Sequence, residues 1–458
     1  MLLKQSFSRE SSCNLAGEAI KDQGMSFQKI STAKLQKQLS DPYTTIIDVR
    51  PTEAYNGWKI NNEARSGHIR GARSLPLKWT NYIDWIEIVR SKGILPDQSL
   101  VIYAYGPEEA HQVAARFSRS GYDHLKVYDH FQDEWCVDET LPMDHLQRYR
   151  QLVYPEWLKT LLDGDTPPEF GGKDFVVCHG HYRNRGAYEE GHIPGAVDVD
   201  TNTLESPETW NRRNPEELKE TLEKLGITEN TTVILYGRFS FPDNNDPFPG
   251  SSAGHLGSIR AAFIMMYAGV KDVRILNGGI KSWEDAGYEI TSKEYKPVYR
   301  GEFGLPIPGR PELAVDVPEA KEIIASDQAE LVSVRSWPEY IGELSGYNYI
   351  EKKGRIPGSV FGNCGTDAYH MENYRNLDHT TREYHEIEEI WKEVGVVPEK
   401  HNAFYCGTGW RGSEAWLNAW LMGWPRVSVF DGGWFEWSND PQNPTATGIL
   451  EREYNIAE

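Results

Sequence analysis

A cysteine near the end of the chain stands in a pattern that could do chemistry. The segment Cys406-Gly-Thr-Gly-Trp-Arg411 follows a short apolar run and precedes a stretch with helical spacing. A helix N-terminus presents unpaired N–H groups and a partial positive charge. Gly407 and Gly409 allow the loop to curl so that successive N–H groups form an anion nest. We therefore expect Cys406 to be a thiolate near neutrality.

The same nest would hold the terminal sulfur of a persulfide, which is also an anion. The expected donors are the backbone N–H groups of 407–411, with Thr408 and Trp410 bordering the site and Arg411 adding a positive charge. Free cysteine is also among the most buried residue types, so a structural cysteine at a strand end is the alternative. The glycine-rich loop between strand and helix favours a functional cysteine.

Three signals recur along the chain in one order, which indicates three copies of a single structural unit. Each copy has a glycine turn, then an apolar strand that runs into a loop, and finally a turn whose first residue is followed six positions later by a tryptophan. The glycine turns lie at 67–72, 191–196 and 354–359, the strands at 101–104, 233–236 and 403–406, and the final turns at 129–135, 277–283 and 431–437. A further strand precedes the glycine turn in each copy.

Each copy alternates strands with helical stretches of about 10–15 residues, which predicts a parallel sheet with helices on its faces. The fold class is therefore α/β, with three tandem domains that each have a mainly parallel sheet. We expect these domains at 26–146, 150–292 and 312–450, and we interpret residues 1–25 as a flexible leader. A chain of 458 residues is long enough for several cores.

The first two copies lack a cysteine at the position of Cys406. Cys406 and Ala104 both stand 17 residues before the glycine that ends the following helix, so the first copy has alanine there. Tyr236 is expected at that position in the second copy. The second copy also carries an insert at 238–257. We expect this insert either to line one side of the Cys406 pocket or to be a surface loop.

These motifs resemble those of the rhodanese-like sulfurtransferases, which share the D-x-R strand end, the GHIPGA turn, the six-residue cysteine loop and the DGG ending with its tryptophan. The resemblance covers nearly everything after residue 25. Three such domains with one active cysteine in the last are similar to the YnjE-type members of the family. No cofactor is expected.

The resemblance implies that the Cys406 thiolate takes sulfur from thiosulfate or 3-mercaptopyruvate and passes it to a thiol, cyanide or a protein acceptor. The CGTG start of the loop is similar to that of 3-mercaptopyruvate sulfurtransferases, whereas Trp410 and Arg411 depart from the family pattern. Arg335 matches the D-x-R arginine, which tends to face the active loop in the family. A structural salt bridge is the alternative role for Arg335.

Two other classes of function remain open. A cysteine phosphatase or arsenate reductase on the same fold needs five residues between cysteine and arginine, but four separate Cys406 from Arg411. The shorter loop fits one sulfur atom better than a tetrahedral oxyanion. A docking scaffold without activity is the second alternative, and the intact cysteine loop argues against it.

The other cysteines and the overall charge exclude several roles. Cys178-His179-Gly180-His181 lacks a further ligand pair, so no metal is expected. Cys364 is interpreted as a bystander or a resolving thiol. A net charge of −20 argues against binding to nucleic acid or to anionic membranes. The start of the chain lacks a signal-peptide pattern, which favours a cytoplasmic location.

Overall fold

The computed structural model describes residues 25–239 and 254–449 of the chain. These residues form two compact units: residues 25–55 with 61–144, and residues 56–60 with 145–239 and 254–449. The first predicted domain corresponds to the first unit, and the second and third predicted domains share the second unit. The predicted leader lies outside the described residues except for Met25.

The first unit has a five-stranded sheet in which every neighbouring pair is parallel. Its elements are β1 (Gln28–Lys29), α1 (Thr32–Gln38), β2 (Thr44–Asp48), α2 (Thr52–Asn56), β3 (His68–Ile69), β4 (Arg73–Ser74), α3 (Trp85–Ser91), β5 (Ser99–Tyr103), α4 (Pro107–Arg119), β6 (Leu125–Tyr128) and β7 (Met143–Asp144). The order in the sheet is β1-β6-β5-β2-β4, and β3 pairs with β7 in an antiparallel ribbon.

The second domain repeats this architecture in the other unit. Its elements are β8 (Leu152–Val153), α5 (Pro155–Leu162), β9 (Phe175–His181), α6 (Arg185–Glu190), β10 (Val197–Asp200), α7 (Pro215–Lys224), β11 (Thr232–Gly237), α8 (Gly254–Ala268), β12 (Asp272–Leu276) and α9 (Gly279–Asp285). The sheet order is β10-β9-β11-β12-β8, again with parallel pairs.

The third domain follows the same sequence of strands and helices. Its elements are β13 (Ala314–Val315), α10 (Val317–Ile324), β14 (Ala329–Ser333), α11 (Trp337–Ile341), β15 (Val360–Phe361), α12 (Tyr384–Lys392), β16 (His401–Tyr405), α13 (Trp410–Leu421), β17 (Val427–Phe430) and α14 (Gly433–Asn439). The sheet order β13-β17-β16-β14-β15 is the order of the other two domains. The predicted α/β fold with three parallel-sheet domains is confirmed.

Two helices join the second and third domains through a shared apolar core. Every residue of α8 is buried, and α8 packs against α13. Phe263 on α8 meets Trp416 on α13 edge to face, with ring centroids 5.1 Å apart. An apolar helix of this kind needs cover on all sides, and the neighbouring domain supplies it. The loop that starts α13 is therefore held against the second domain.

Candidate active site

The cysteine loop connects the carboxyl end of β16 to the first turn of α13. Cys406 follows directly on β16, and Trp410 is the first residue of the helix, so the loop proper spans 406–409. Gly409 has φ +86°, and a Cβ there would lie 2.7 Å from the carbonyl oxygen of Asp431. Gly407 faces the ring of Tyr347, which leaves no room for a side chain. Both glycines are required by the shape of the loop.

The backbone of this loop turns its carbonyl groups away from the cysteine side chain. The carbonyl oxygens of Cys406 and Gly407 accept hydrogen bonds from the N–H groups of Trp434 and Phe435, each at 2.9 Å. No residue in the described ranges accepts a hydrogen bond from the N–H groups of 407–411. A nest of unpaired N–H groups can stabilise one anionic sulfur atom.

Arg411 points away from the loop into a buried ion pair. Its guanidinium contacts both carboxylate oxygens of Glu339, at 3.0 and 2.8 Å, and its Nε donates to the hydroxyl of Tyr347 at 3.1 Å. A further bond reaches the carbonyl oxygen of Asp367 at 3.2 Å. Burial by itself would raise the pKa of Glu339, but Arg411 and Arg335 outweigh burial and bring that pKa to about 2.

Arg335 reaches the cysteine loop through Glu339. Its Nε lies 3.3 Å from Glu339, and its other nitrogens donate to the carbonyl oxygens of Gly354 at 2.6 Å and Ser345 at 3.0 Å. Arg335 thereby ties α11 to the segment that carries Tyr347. The assignment of Arg335 to substrate binding stays a prediction, and its described contacts are those of a structural ion pair.

Two tyrosines that the sequence did not single out lie beside Cys406. Tyr347 and Tyr349 are neighbours, with ring centroids 5.2 Å apart, and Tyr349 lies next to Thr408. Burial is the main cause that raises the pKa of both phenols, and the nearby charge of Cys406 adds to it. Both phenols are therefore protonated near neutrality. The available signal in the sequence was the pair of tyrosines separated by one residue, Tyr347-Asn-Tyr349.

Trp410 turns toward the second domain. Its indole Nε1 donates to the carboxylate of Glu205, with the oxygens at 2.9 and 3.0 Å. Its ring lies in an apolar and aromatic group that we call the interdomain aromatic cluster, which consists of Tyr182, Trp210, Leu256, Trp410, Tyr349 and Phe435. Tyr182 meets the indole edge to face at 5.6 Å, and Trp210 stacks on Tyr349 at 5.0 Å. The cluster forms one wall beside the cysteine loop.

The structure corrects the predicted equivalence in the second domain. In the first unit, the hydroxyl of Tyr103 accepts the N–H of Ile69 from the glycine turn, and Ala104 follows. In the second domain, the hydroxyl of Tyr236 accepts the N–H of Ile193 in the same way. Tyr236 is thus the counterpart of the residue before the cysteine, and Gly237 stands at the cysteine position. The expectation that this position lacks a thiol is unchanged.

Cys364 and Cys178 are both buried free cysteines. Cys364 is buried, its thiol donates to the carbonyl oxygen of Val334 at 3.1 Å, and it lies 3.8 Å from Nη1 of Arg411. Burial raises the pKa of Cys364 to about 12, which keeps it a thiol. Burial also raises the pKa of Cys178 to about 12. Within 25–239 and 254–449, no three His, Cys, Asp or Glu side chains are grouped to hold a metal ion.

The insert at 238–257 falls mostly outside the described residues, because 240–253 are not among them. At its described ends, Phe239 stacks on His379 with ring centroids 4.2 Å apart. Gly257 faces Trp410, and a Cβ at that position would lie 3.2 Å from the indole ring. Among the helices of the described residues, none is long and apolar enough to cross a membrane.

Comparison with known proteins identifies the family of all three domains. The rhodanese-like domain family matches residues 31–138, 155–286 and 316–440. The thiosulfate sulfurtransferase YnjE of Escherichia coli (strain K12) is 38% identical over 416 residues, which cover 90% of this chain and 91% of YnjE. The sulfur carrier protein TtuD of Thermus thermophilus is 30% identical over 267 residues, which cover 57% of this chain and 87% of TtuD.

Solved structures of EanB are also similar to this chain. Wild-type EanB has a TM-score of 0.91 at 60% identity, and the match covers 93% of this chain and 99% of EanB. Other EanB structures contain ergothioneine, hercynine or a cysteine persulfide. The fold, the three family matches and these relatives agree, and the chain belongs to the rhodanese-like sulfurtransferase family.

Proposed function

We propose that this protein carries sulfur on Cys406 and transfers it to the imidazole ring of hercynine, which gives ergothioneine. Hercynine is histidine with three methyl groups on its amino nitrogen, and ergothioneine carries sulfur on the ring carbon between the two nitrogens. EanB binds both compounds in solved structures. The proposed chemistry of this loop is therefore the uptake of one sulfur atom by Cys406 and the delivery of that atom to a ring carbon.

The observation that carries the proposal is the grouping of Cys406, Thr408 and Tyr347 at one point. EanB structures include variants of a threonine and a tyrosine in complex with hercynine or ergothioneine. That threonine and that tyrosine are separated from the persulfide cysteine by the same numbers of residues as Thr408 and Tyr347 are from Cys406. In this chain Tyr347 packs on the loop, and its hydroxyl accepts from Arg411. The phenol proton is then available to the substrate.

The interdomain aromatic cluster supports a substrate with a quaternary ammonium group. Aromatic faces attract such cations, and several rings together form a cage for them. Tyr182, Trp210, Tyr349 and Trp410 provide these faces beside the loop. A ring-bearing, trimethylated substrate suits this wall better than a small inorganic anion does.

The transfer step balances without an external oxidant. A bond forms between the terminal sulfur of the persulfide and the ring carbon, and the bond between that sulfur and Sγ of Cys406 breaks. Cys406 leaves as a thiolate, and the proton on the ring carbon passes to a base. The sulfur is reduced while the carbon is oxidised. The N–H groups of 407–411 stabilise the anionic sulfur before transfer and the thiolate after it.

Thiosulfate sulfurtransferase activity is the second candidate, because YnjE has that name and shares 38% identity with this chain. Thiosulfate and 3-mercaptopyruvate are then donors that load Cys406, and a thiol, cyanide or a protein accepts the sulfur. A phosphatase is a weaker candidate. Arg411 is engaged by Glu339 and is not free for a phosphate.

The test is an acceptor comparison with one protein preparation. The protein is supplied with thiosulfate, 3-mercaptopyruvate or inorganic polysulfide, and then with hercynine, histidine, cyanide or dithiothreitol. The expected result is ergothioneine from hercynine and no thiolated product from histidine, which lacks the methyl groups. Sulfur transfer to cyanide or dithiothreitol without any ergothioneine from hercynine would favour thiosulfate sulfurtransferase activity instead.

A further inference from the structure

The second domain has no thiol at its own loop, but one of its carboxylates lies at the active loop of the third domain. Glu205 is completely buried. Both of its oxygens lie within hydrogen-bonding distance of Nε1 of Trp410, and Oε2 also accepts from Nε of Arg260 at 3.0 Å. Burial raises the pKa of Glu205 to about 7, although Arg260 and the bond from Trp410 lower it. Burying a carboxylate at this position costs desolvation free energy.

Arg260 on α8 extends this contact behind the loop. Its Nη1 forms an ion pair with Oδ1 of Asp431 at 2.6 Å, and its Nη2 donates to the carbonyl oxygen of Trp210 at 3.0 Å. A Cβ on Gly409 would lie 3.2 Å from Nη1 of Arg260, so the guanidinium packs directly on the loop backbone. The second domain thereby supports Gly409 as well as Trp410.

Asp431 connects the same network to the other side of the loop. Its Oδ2 accepts from the backbone N–H of Arg212 at 2.8 Å and from Nη1 of Arg212 at 2.9 Å. Asp431 immediately precedes the turn into α14. Backbone N–H groups in the first turn of α14 donate hydrogen bonds to the carbonyl oxygens of Cys406 and Gly407. The second domain therefore holds the loop through Trp410 and through Asp431.

An apolar contact would be enough to pack two domains together, and it would avoid the cost of a buried carboxylate. A hydrogen bond from the indole N–H to a fixed carboxylate is directional and sets the rotation of Trp410. Trp410 is the first residue of α13, so its placement sets where the N–H groups of 410 and 411 point. Those N–H groups belong to the anion nest.

We propose that Glu205 of the second domain is a positioning residue for sulfur transfer, which holds Trp410 and thereby fixes the anion nest around Cys406. Glu205 does not touch Cys406, and it acts through Trp410. This inference rests on Cys406 being the sulfur carrier, as proposed above, and it is independent of which acceptor receives the sulfur.

The test compares four variants for the rate of sulfur loading on Cys406, followed by intact mass after rapid mixing with donor. Glu205→Ala is expected to slow loading by about tenfold or more, because a charge-assisted hydrogen bond is lost. Trp410→Phe, which removes the indole N–H, is expected to slow it to a similar degree. Glu205→Gln is expected to stay within about threefold of wild type, because its amide oxygen can accept from both Trp410 and Arg260. Glu208→Ala, an exposed carboxylate three residues away, is the matched control and should be unchanged.

The double variant Glu205→Ala with Trp410→Phe separates positioning from general destabilisation. If the two residues act through one bond, the double variant loads sulfur no more slowly than the slower single variant. Losses that multiply in the double variant would overturn the inference, and so would a wild-type rate in Glu205→Ala. If Glu205→Ala fails to fold, the loading rates of Glu205→Gln and Trp410→Phe are compared instead. Equal slowing of sulfur loading in these two variants would overturn the inference. Sulfur loading that persists in Cys406→Ser would instead refute the proposed function.

Discussion

Tyr347 is the residue whose hydroxyl should separate sulfur loading from sulfur delivery. Tyr347→Phe keeps the ring against Gly407 and removes a proton donor beside Cys406. We expect persulfide formation to continue, while transfer to hercynine slows by about 100-fold, the usual contribution of a general acid or base. Single-turnover measurements of both steps check this expectation. Tyr349→Phe is the control variant, and an equal loss there would show that the effect is not specific to the hydroxyl of Tyr347.

Glu339 is expected to matter for stability because it neutralises two buried guanidinium groups. Glu339→Gln leaves Arg335 and Arg411 without their carboxylate, and breaking a buried pair costs about 3–5 kcal/mol. Urea unfolding at neutral pH measures this loss. Glu343→Gln, on the exposed surface nearby, should change the free energy of unfolding by less than about 0.5 kcal/mol. Similar losses in both variants would contradict the ion-pair account.

The pH dependence of that stabilisation follows from the low pKa of Glu339. The folded value of about 2 lies below the ordinary 4.5, so the stabilisation is fully present above the ordinary value. It is lost as the pH falls from about 4.5 through about 2. The difference in unfolding free energy between wild type and Glu339→Gln should therefore shrink over this acid range. A difference that stays constant down to pH 2 would contradict the assignment.

At the scale of elements, the turn from β16 into α13 depends on Gly409. Gly409→Ala must adopt a positive φ, which costs about 1–2 kcal/mol, and its Cβ would also meet the carbonyl oxygen of Asp431. We expect sulfur loading to be strongly reduced. Gly121→Ala is a matched control, because Gly121 has φ +88° with nothing within 4 Å of an added Cβ. Intact mass after donor treatment should show normal loading in that control.

The sequence predicted those elements whose patterns are local. The repeated strand and helix order and the glycine at the end of α4 are both confirmed. The sequence analysis aligned Tyr236 with Cys406, one residue away from Gly237, which holds that position in the structure. The pairing between β9 and β11 sets this register, and the pattern of apolar residues alone does not. The contacts of Tyr347 and Glu205 with the loop could not be predicted, since they join residues far apart in the chain.

At the scale of the whole molecule, three copies of one fold share a single proposed reactive loop. In the first unit, the loop after Ala104 continues through Gly106 to Pro107, which has no N–H group to offer. We therefore expect Ala104→Cys in a Cys406→Ser background to take up no stable sulfur. Intact mass after treatment with donor checks this expectation. A cyanide-sensitive gain of one sulfur in that double variant would show that the fold alone is sufficient.

The most direct test of the central claim is a single turnover with protein that has been loaded with sulfur and freed of donor. Loaded protein is mixed with hercynine, and both the intact protein mass and the small-molecule products are followed over time. The account predicts that the protein loses one sulfur while an equal amount of ergothioneine appears, and that Cys406→Ser shows neither change. A loaded protein that keeps its sulfur in the presence of hercynine, yet releases it to cyanide, would contradict the account.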